Sequence, residues 1–378
     1  MNNEFKRKLE AYEKGELSDG ELEDFEKELE KLESYQEFLE ENGTQVKDSN
    51  INETKQQKIL RRSKWKARLQ TAFTALGIIL LFTIISTFLT AGYYSWGKPD
   101  RADVFRNIID QTLTVTNPYG YLGGTSTNTS PFFGLEAVRD LNKTIGNETV
   151  KVGEVKAKFF FSMMSFPEQE YFGNVSNNTP TFLYPRAGER NLSDWKRLEQ
   201  LPEGTVVSAY LSFAELIDTE KVFQLFDGRD MDLIWFAVDT GFEGKDGAVI
   251  LEPIGFPSYP IWHDDDMILD SREEEEGLFG SRIISEGHSS PEYTVGDHEV
   301  LHEQFLKTLT FLQNHERKAN KLLFEKLELS KRIQYIENNG FQHYGVVITG
   351  PTKEVLKLQE EKWVGELVVD EVSFWNWR

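Results

Sequence analysis

The chain has 378 residues, a formal net charge of −21 and no cysteine. So acidic a balance argues against nucleic acid or an anionic surface as a partner. The missing thiols exclude disulfides, thiol redox sensing and cysteine-ligated zinc, and they fit a bacterial exported domain better than a eukaryotic one.

Residues 1–50 carry a net charge of −9 and read as two short helices. Phe5, Leu9 and Tyr12 share one face of the first, which Gly15 ends. Ser18-Asp-Gly-Glu21 forms a capping box for the second, with Leu17 and Leu22 at staple positions. Leu22, Phe25, Leu29, Leu32 and Leu39 then line a stripe, with Tyr35 and Phe38 beside it and Glu and Lys opposite. So small a unit is marginal alone. It either packs on itself, as a hairpin or a homodimeric coiled coil, or folds around a partner protein with the stripes as anchors. Residues 43–52 form a polar linker.

Residues 51–68 are basic, at net +6, and lead into 29 consecutive uncharged residues, Leu69 to Gly97. About 20 apolar helical residues cross a bilayer core of roughly 30 Å. Tyr93, Tyr94 and Trp96 supply an interfacial belt at one end. Lys55, Lys58, Arg61, Arg62, Lys64, Lys66 and Arg68 mark the other end as cytoplasmic. A cleaved signal would stand at the start of a chain, not after 68 water-soluble residues. The expectation is a single-pass cell-membrane protein: a small all-α cytoplasmic head (1–50), a basic juxtamembrane segment (51–68), a transmembrane helix (69–97) and an extracellular α+β domain.

That outer part divides into a β-rich lobe over 98–199 and an α+β lobe over 200–378. Thr112–Thr116 and Val150–Ser162 read as strands. Leu201-Pro-Glu-Gly204 marks the boundary. Strand Thr205–Ser212, helix Phe213–Phe226 and strand Leu233–Asp239 follow, and strand Tyr344–Thr349, helix Thr352–Leu358 and strand Trp363–Val372 repeat the order. The two units suggest a ferredoxin-like split βαβ lobe. His298–His315 and Lys318–Asn338 read as helices between them. Asn128, Asn142, Asn147, Asn174, Asn177 and Asn191 begin sequons that read as Asn- and Thr-rich turns.

Three motifs invite chemistry. His298-Glu-Val-Leu-His302 matches HExxH, the zinc metalloprotease pattern. Glu303 and Gln304 stand where apolar residues would hold such a helix, and Asp297 as N-cap would leave the motif in a first turn. His263-Asp-Asp-Asp266 offers cation ligands without the spacing of a calcium loop, and otherwise reads as an acidic turn. Arg272–Gly277, with four glutamates, reads as a solvated loop. Trp363, Phe374, Trp375 and Trp377 belong either to the core or to an exposed patch.

The segments FKRKLEAYEKGELSDGELEDFEKELEKLESYQ and KQQKILRRSKWKARLQTA, with LPEGTVVSAYLSF, DMDLIWFAVDTG, IGFPSYPIWH, YIENNGFQHYGVVITGPTKEVLKL and FWNWR, resemble the sigma factor regulator family. These are membrane-anchored anti-sigma factors of Gram-positive bacteria. The resemblance implies no enzyme and no cofactor. It implies a head that holds an extracytoplasmic-function sigma factor and an outer domain that tunes the grip. A second small membrane protein is a further candidate partner. Phe5, Leu9, Tyr12, Leu22, Phe25, Leu29, Leu32 and Tyr35 fall in the implied sigma-binding region. The competing readings are a metalloprotease built on His298 and His302 and a non-enzymatic surface receptor or adhesion module.

Overall fold

The computed structural model describes residues 3–43, 53–119, 121–172, 179–185, 193–243, 249–277 and 280–377. The linker at 44–52 and the sequons at Asn174, Asn177 and Asn191 lie outside them. Two compact units result, Met1–Leu81 and Phe82–Arg378.

In the first unit, α1 (Asn3–Lys14) and α2 (Asp19–Gly43) precede α3 (Glu53–Tyr94). Gly15 ends α1 in the left-handed region, at φ +68°. Its amide and that of Glu16 donate to Tyr12 O and Ala11 O, the two bonds of a Schellman cap. The run of α3 from Gln57 to Tyr94 is long and apolar enough to cross a membrane, with a mean hydropathy of 2.3 over its most apolar window. The unit division falls within this helix.

After the end of α3, the second unit continues with α4 (Arg101–Thr116), capped by Asp100, whose carboxylate accepts from Asp103 N at 2.7 Å. Its last turn contains Thr112–Thr116, so the expected strand there is wrong. Phe105, Ile108, Ile109 and Leu113 bury at helical spacing. The hydroxyls of Thr112 and Thr116 donate back to Ile108 O and Thr112 O. Core packing and these bonds override the β preference of the Thr–Val run.

A first antiparallel sheet follows, of β1 (Ser126–Ser130), β2 (Gly134–Ile145), β3 (Glu148–Phe160), β4 (Met163–Met164) and β5 (Glu168–Tyr171). After the short β6 (Phe182–Leu183) and α5 (Trp195–Glu199) come β7 (Thr205–Ile217), α6 (Thr219–Phe226) and β8 (Asp232–Val238). Strand β7 runs five residues past the expected end at Ser212, and α6 starts only where Asp218 caps Lys221 N at 2.8 Å. The short β9 (Val249–Ile250) pairs β6, and β10 (Gly255–Pro257) pairs β8.

The hairpin of β11 (Ile268–Gly277) and β12 (Gly280–Ser289) replaces the loop expected at Arg272–Gly277. Nine pairs align the two strands, and Arg272 offsets the carboxylates of Glu274 and Glu286 at 2.6 and 3.5 Å. Helix α7 (His298–Asn314) agrees with expectation, whereas 318–338 does not form one helix. It holds the end of α8 (Glu316–Ala319), a non-helical stretch at 320–328, and α9 (Leu329–Asn339). The chain closes with β13 (His343–Pro351), α10 (Thr352–Leu356) and β14 (Val364–Phe374).

The central sheet has the order β10-β8-β13-β7-β14, antiparallel throughout. Alternate residues of its strands feed opposite faces. Val207, Ala209, Leu211, Val346 and Ile348 pack with Leu301, Phe305 and Leu309 of α7 and Ile336 of α9. Tyr210, Trp235, Tyr344 and Val347 pack with Ile108 and Ile109 of α4 and with Leu135, Val155 and Phe159 of the first sheet. The turn expected at Leu201–Gly204 is present before β7, but the buried cluster joins residues from both sides of it. Trp377 is buried, Trp363 is half-buried against Phe213 and Phe226, and Phe374 and Trp375 are exposed.

Candidate functional site

The head is organised around one side chain. Phe25 of α2 is 2% exposed. The rings of Phe5 and Tyr12 from α1 approach it at 5.7 and 5.4 Å between centroids. Leu9, Leu22 and Leu29 are half-buried around this contact. One arm of the predicted capping box forms, with Ser18 N donating to Glu21 Oε2 at 3.2 Å, while Ser18 Oγ donates to the same oxygen at 2.6 Å. Those bonds from Ser18 hold the Glu21 carboxyl below its ordinary range.

Helix α2 is 25 residues long and α1 only 12. The rings of the short helix meet the long one at Phe25, in its first half. Leu32, Tyr35 and Leu39 are 46%, 64% and 55% exposed. The structure therefore brings Phe5, Tyr12 and Phe25 together and leaves Leu32 and Tyr35 outside the contact. The predicted stripe splits into a hairpin core and an open apolar edge, amid glutamates at 28, 30, 33, 37, 40 and 41.

The HExxH residues sit at the capped start of α7, where Val300 N donates to Asp297. His302 lies flat on Phe341, 3.7 Å between centroids, and its Nε2 is 2.6 Å from Thr219 Oγ1. The same hydroxyl is 2.7 Å from Nε2 of His343, which is fully buried. His343 Nδ1 faces Ala237 O at 3.3 Å and so carries the proton. Its Nε2 then accepts from Thr219, and His302 Nε2 donates to the Thr219 oxygen. Among the described residues, no three His, Asp or Glu side chains converge to hold a metal ion. Sequence reasoning missed His343 and Thr219; a lone histidine before an apolar strand gives no signal of its partners.

Burial, with His298 nearby, draws the His302 pKa down to about 4, and burial, with His302 nearby, draws that of His343 to about 3. Both are neutral when folded, while the unfolded chain titrates near 6.5. Their contribution is fully present above pH 6.5 and shrinks as the pH falls toward 4. Each fully linked histidine costs about 1.4 kcal/mol per pH unit across that window. Urea unfolding of the full chain at pH 7.5 and pH 5 should show the loss, and His302→Gln with His343→Gln should flatten the slope.

The 263–266 loop is closed by the protein itself. Lys307 Nζ lies 2.8 and 2.6 Å from the carboxylates of Asp265 and Asp266. Asn107 donates to Asp264, and the His263 ring contacts Gln111 and Thr308. A lysine stands where the cation reading required an ion.

Known proteins resemble this chain over most of its length. A family model described as sigma factor regulator N-terminal matches residues 57–150, and one described as sigma factor regulator C-terminal matches residues 198–371. The chain is 31% identical to the probable anti-sigma-M factor YhdL of Bacillus subtilis (strain 168), over 389 residues that cover 100% of each protein. The chain belongs to the sigma factor regulator family. No solved structure matches it. The family models begin at residue 57, beyond the hairpin, which the full-length relative covers. The 31% identity therefore extends over a head that the family models do not describe.

Proposed function

We propose that this chain is a membrane-anchored anti-sigma factor. Its head retains an extracytoplasmic-function sigma factor on the cytoplasmic side, and the unit beyond the span adjusts that grip from outside. The observation that carries the reading is the open edge Leu32–Tyr35–Leu39 on an acidic helix, in a chain related end to end to an anti-sigma factor. Apolar anchors ringed by carboxylates suit a partner with apolar pockets and a basic surface, which charge would also steer. The positive juxtamembrane segment supports the orientation. The use of His302 and His343 on Thr219 favours a non-enzymatic chain over a metalloprotease. The strand order β8-β13-β7-β14, with helices after β7 and β13, is that of a split βαβ lobe and supports that reading of the outer fold.

Contacts to a cytosolic factor come from the inner residues alone, so the outer unit acts by biasing the head. A coupling of about 1–3 kcal/mol would change occupancy about 5- to 150-fold. The test compares the full chain with a chain ending after Trp96, both in membranes, for co-purification of the sigma factor and repression of its promoters. The short form should retain the factor and lose part of its strength or its response to envelope stress. A stable short form that retains none would mean that the outer unit is part of the clamp, and a full chain that retains none would end the anti-sigma reading.

A further inference from the structure

The end of α3 packs into the second unit in an unusual way. Ser86 and Thr90, one turn apart in the uncharged run, are 8% and 1% exposed. Ser86 Oγ accepts from Phe132 N at 2.6 Å, and Thr90 Oγ1 accepts from Phe133 N at 2.9 Å. The Tyr94 hydroxyl donates toward Phe133 O and Phe161 O at 2.9 and 3.2 Å. Tyr93 meets the Phe133 and Phe161 rings edge-on and bonds Ser162. Two sheet turns, β1–β2 and β3–β4, are thus fixed along the last turns of the helix.

Depth makes this informative. Twenty residues counted from Leu69, the first after the basic segment, end at Phe88. About that many span a hydrocarbon core of roughly 30 Å. Ser86 falls inside that count and Thr90 just beyond it, so the turn bonded to both sits at the edge of the outer leaflet.

The turns have the composition for that place. No charged residue occurs over 121–135 or 159–167. Phe132, Phe160 and Met163 are 58%, 52% and 64% exposed. Phe132, Phe133 and Phe161 take left-handed φ values of 65°, 60° and 52°, where a bulky aromatic is a genuine outlier. In water that conformation gains little by holding Phe132 outward. The amides of Phe132 and Phe133 and the carbonyls of Phe133 and Phe161 bond side chains of the helix, and the Phe161 amide bonds Phe133 O, which spares those groups a need for water at membrane depth.

We propose that the β1–β2 and β3–β4 turns are a lipid-inserted collar on the transmembrane helix, with Phe132, Phe160 and Met163 seated among the acyl chains of the outer leaflet. This rests on the transmembrane reading of α3. The collar fixes the second unit to the bilayer surface at a set height, so that lipid packing or thickness in that leaflet acts on the unit and the helix together.

The absence of native cysteine makes a clean test. Phe132→Cys, Met163→Cys, Phe88→Cys and Phe324→Cys would each be spin-labelled in the full chain. The proteins would then be reconstituted in phosphatidylethanolamine–phosphatidylglycerol vesicles. Relaxation by oxygen, which partitions into lipid, is compared with relaxation by a water-soluble nickel chelate. The ratio at Phe132→Cys and Met163→Cys should resemble that at Phe88→Cys and exceed severalfold that at Phe324→Cys, which is 97% exposed and far from the turns in sequence. Ratios at both turn positions equal to that at Phe324→Cys, with Phe88→Cys in lipid, would overturn the collar and leave the span standing. Such a result would point to a protein partner over the turns. A water-exposed label at Phe88→Cys would overturn the span and the collar with it.

Discussion

Replacing Leu32 and Tyr35 together by alanine is expected to release the sigma factor while leaving the head folded. Both side chains lie outside the Phe5–Phe25–Tyr12 ring contact, at 46% and 64% exposure, so truncation leaves that contact in place. Alanine is also the better helix former. A buried interface anchor is worth roughly 2 kcal/mol or more, so the double variant should weaken the complex by about 30-fold at least. Phe25→Ala should behave differently. It removes the ring on which Phe5 and Tyr12 close, in a unit too small to absorb the loss. Helix signal and binding should fall together for Phe25→Ala, and binding alone for Leu32→Ala with Tyr35→Ala. Titration of the labelled sigma factor against full-length variants in nanodiscs, alongside circular dichroism of the isolated 1–66 segment, separates the two. Unchanged affinity for the double variant would place the contact surface elsewhere.

The head and the span were legible because their signals are local. A capping box, a 4–3 spacing and an uncharged run each declare themselves within a few turns of helix. What stayed hidden was which part of the stripe closes on itself. That depends on the relative lengths of α1 and α2, and periodicity sees only faces. The central strands were legible as apolar runs such as Val206–Leu211 and Val346–Ile348. The misread segments share a cause. Thr112–Thr116 has β propensity but lies against a sheet at helical spacing, and Arg272–Gly277 is polar yet pairs across a hairpin with residues 280–286. Ser86 and Thr90 carried a readable hint, since two hydroxyls four apart in an apolar run invite a partner. The partner, a sheet turn more than forty residues later, is not a periodic feature.

Lys143→Met is expected to cost the second unit about 3–5 kcal/mol, the penalty for stripping the partner from a buried charge. Lys143 of β2 is 1% exposed and its Nζ lies 2.7 Å from Asp370 Oδ1 of β14, which is fully buried. Tyr119 donates to the same carboxylate at 2.9 Å, Ser208 of β7 reaches its other oxygen at 3.3 Å, and the ammonium sits over the Tyr119 ring at 4.5 Å. Burial pushes the Asp370 carboxyl upward in pKa and Lys143 opposes it, so without the lysine the acid is left either charged and alone or protonated. The cost corresponds to a fall in Tm of about 6–10 °C for a unit this large. Asp370→Leu added to Lys143→Met should recover part of it, because the orphaned charge is gone. The pair also ties the sheet whose turns hold the end of α3 to the central sheet. Two bonds run beside it, from Gly146 N to Thr349 Oγ1 and from Asn376 Nδ2 to Ile145 O. A signal received on the central sheet has these polar contacts and the shared apolar core as its route to the helix. Lys143→Met should therefore blunt the response to envelope stress at temperatures where the unit is still folded, with basal repression by the head intact. If that response survives at full size in a variant shown by its Tm to be weakened, the two sheets do not need this junction to act as one body.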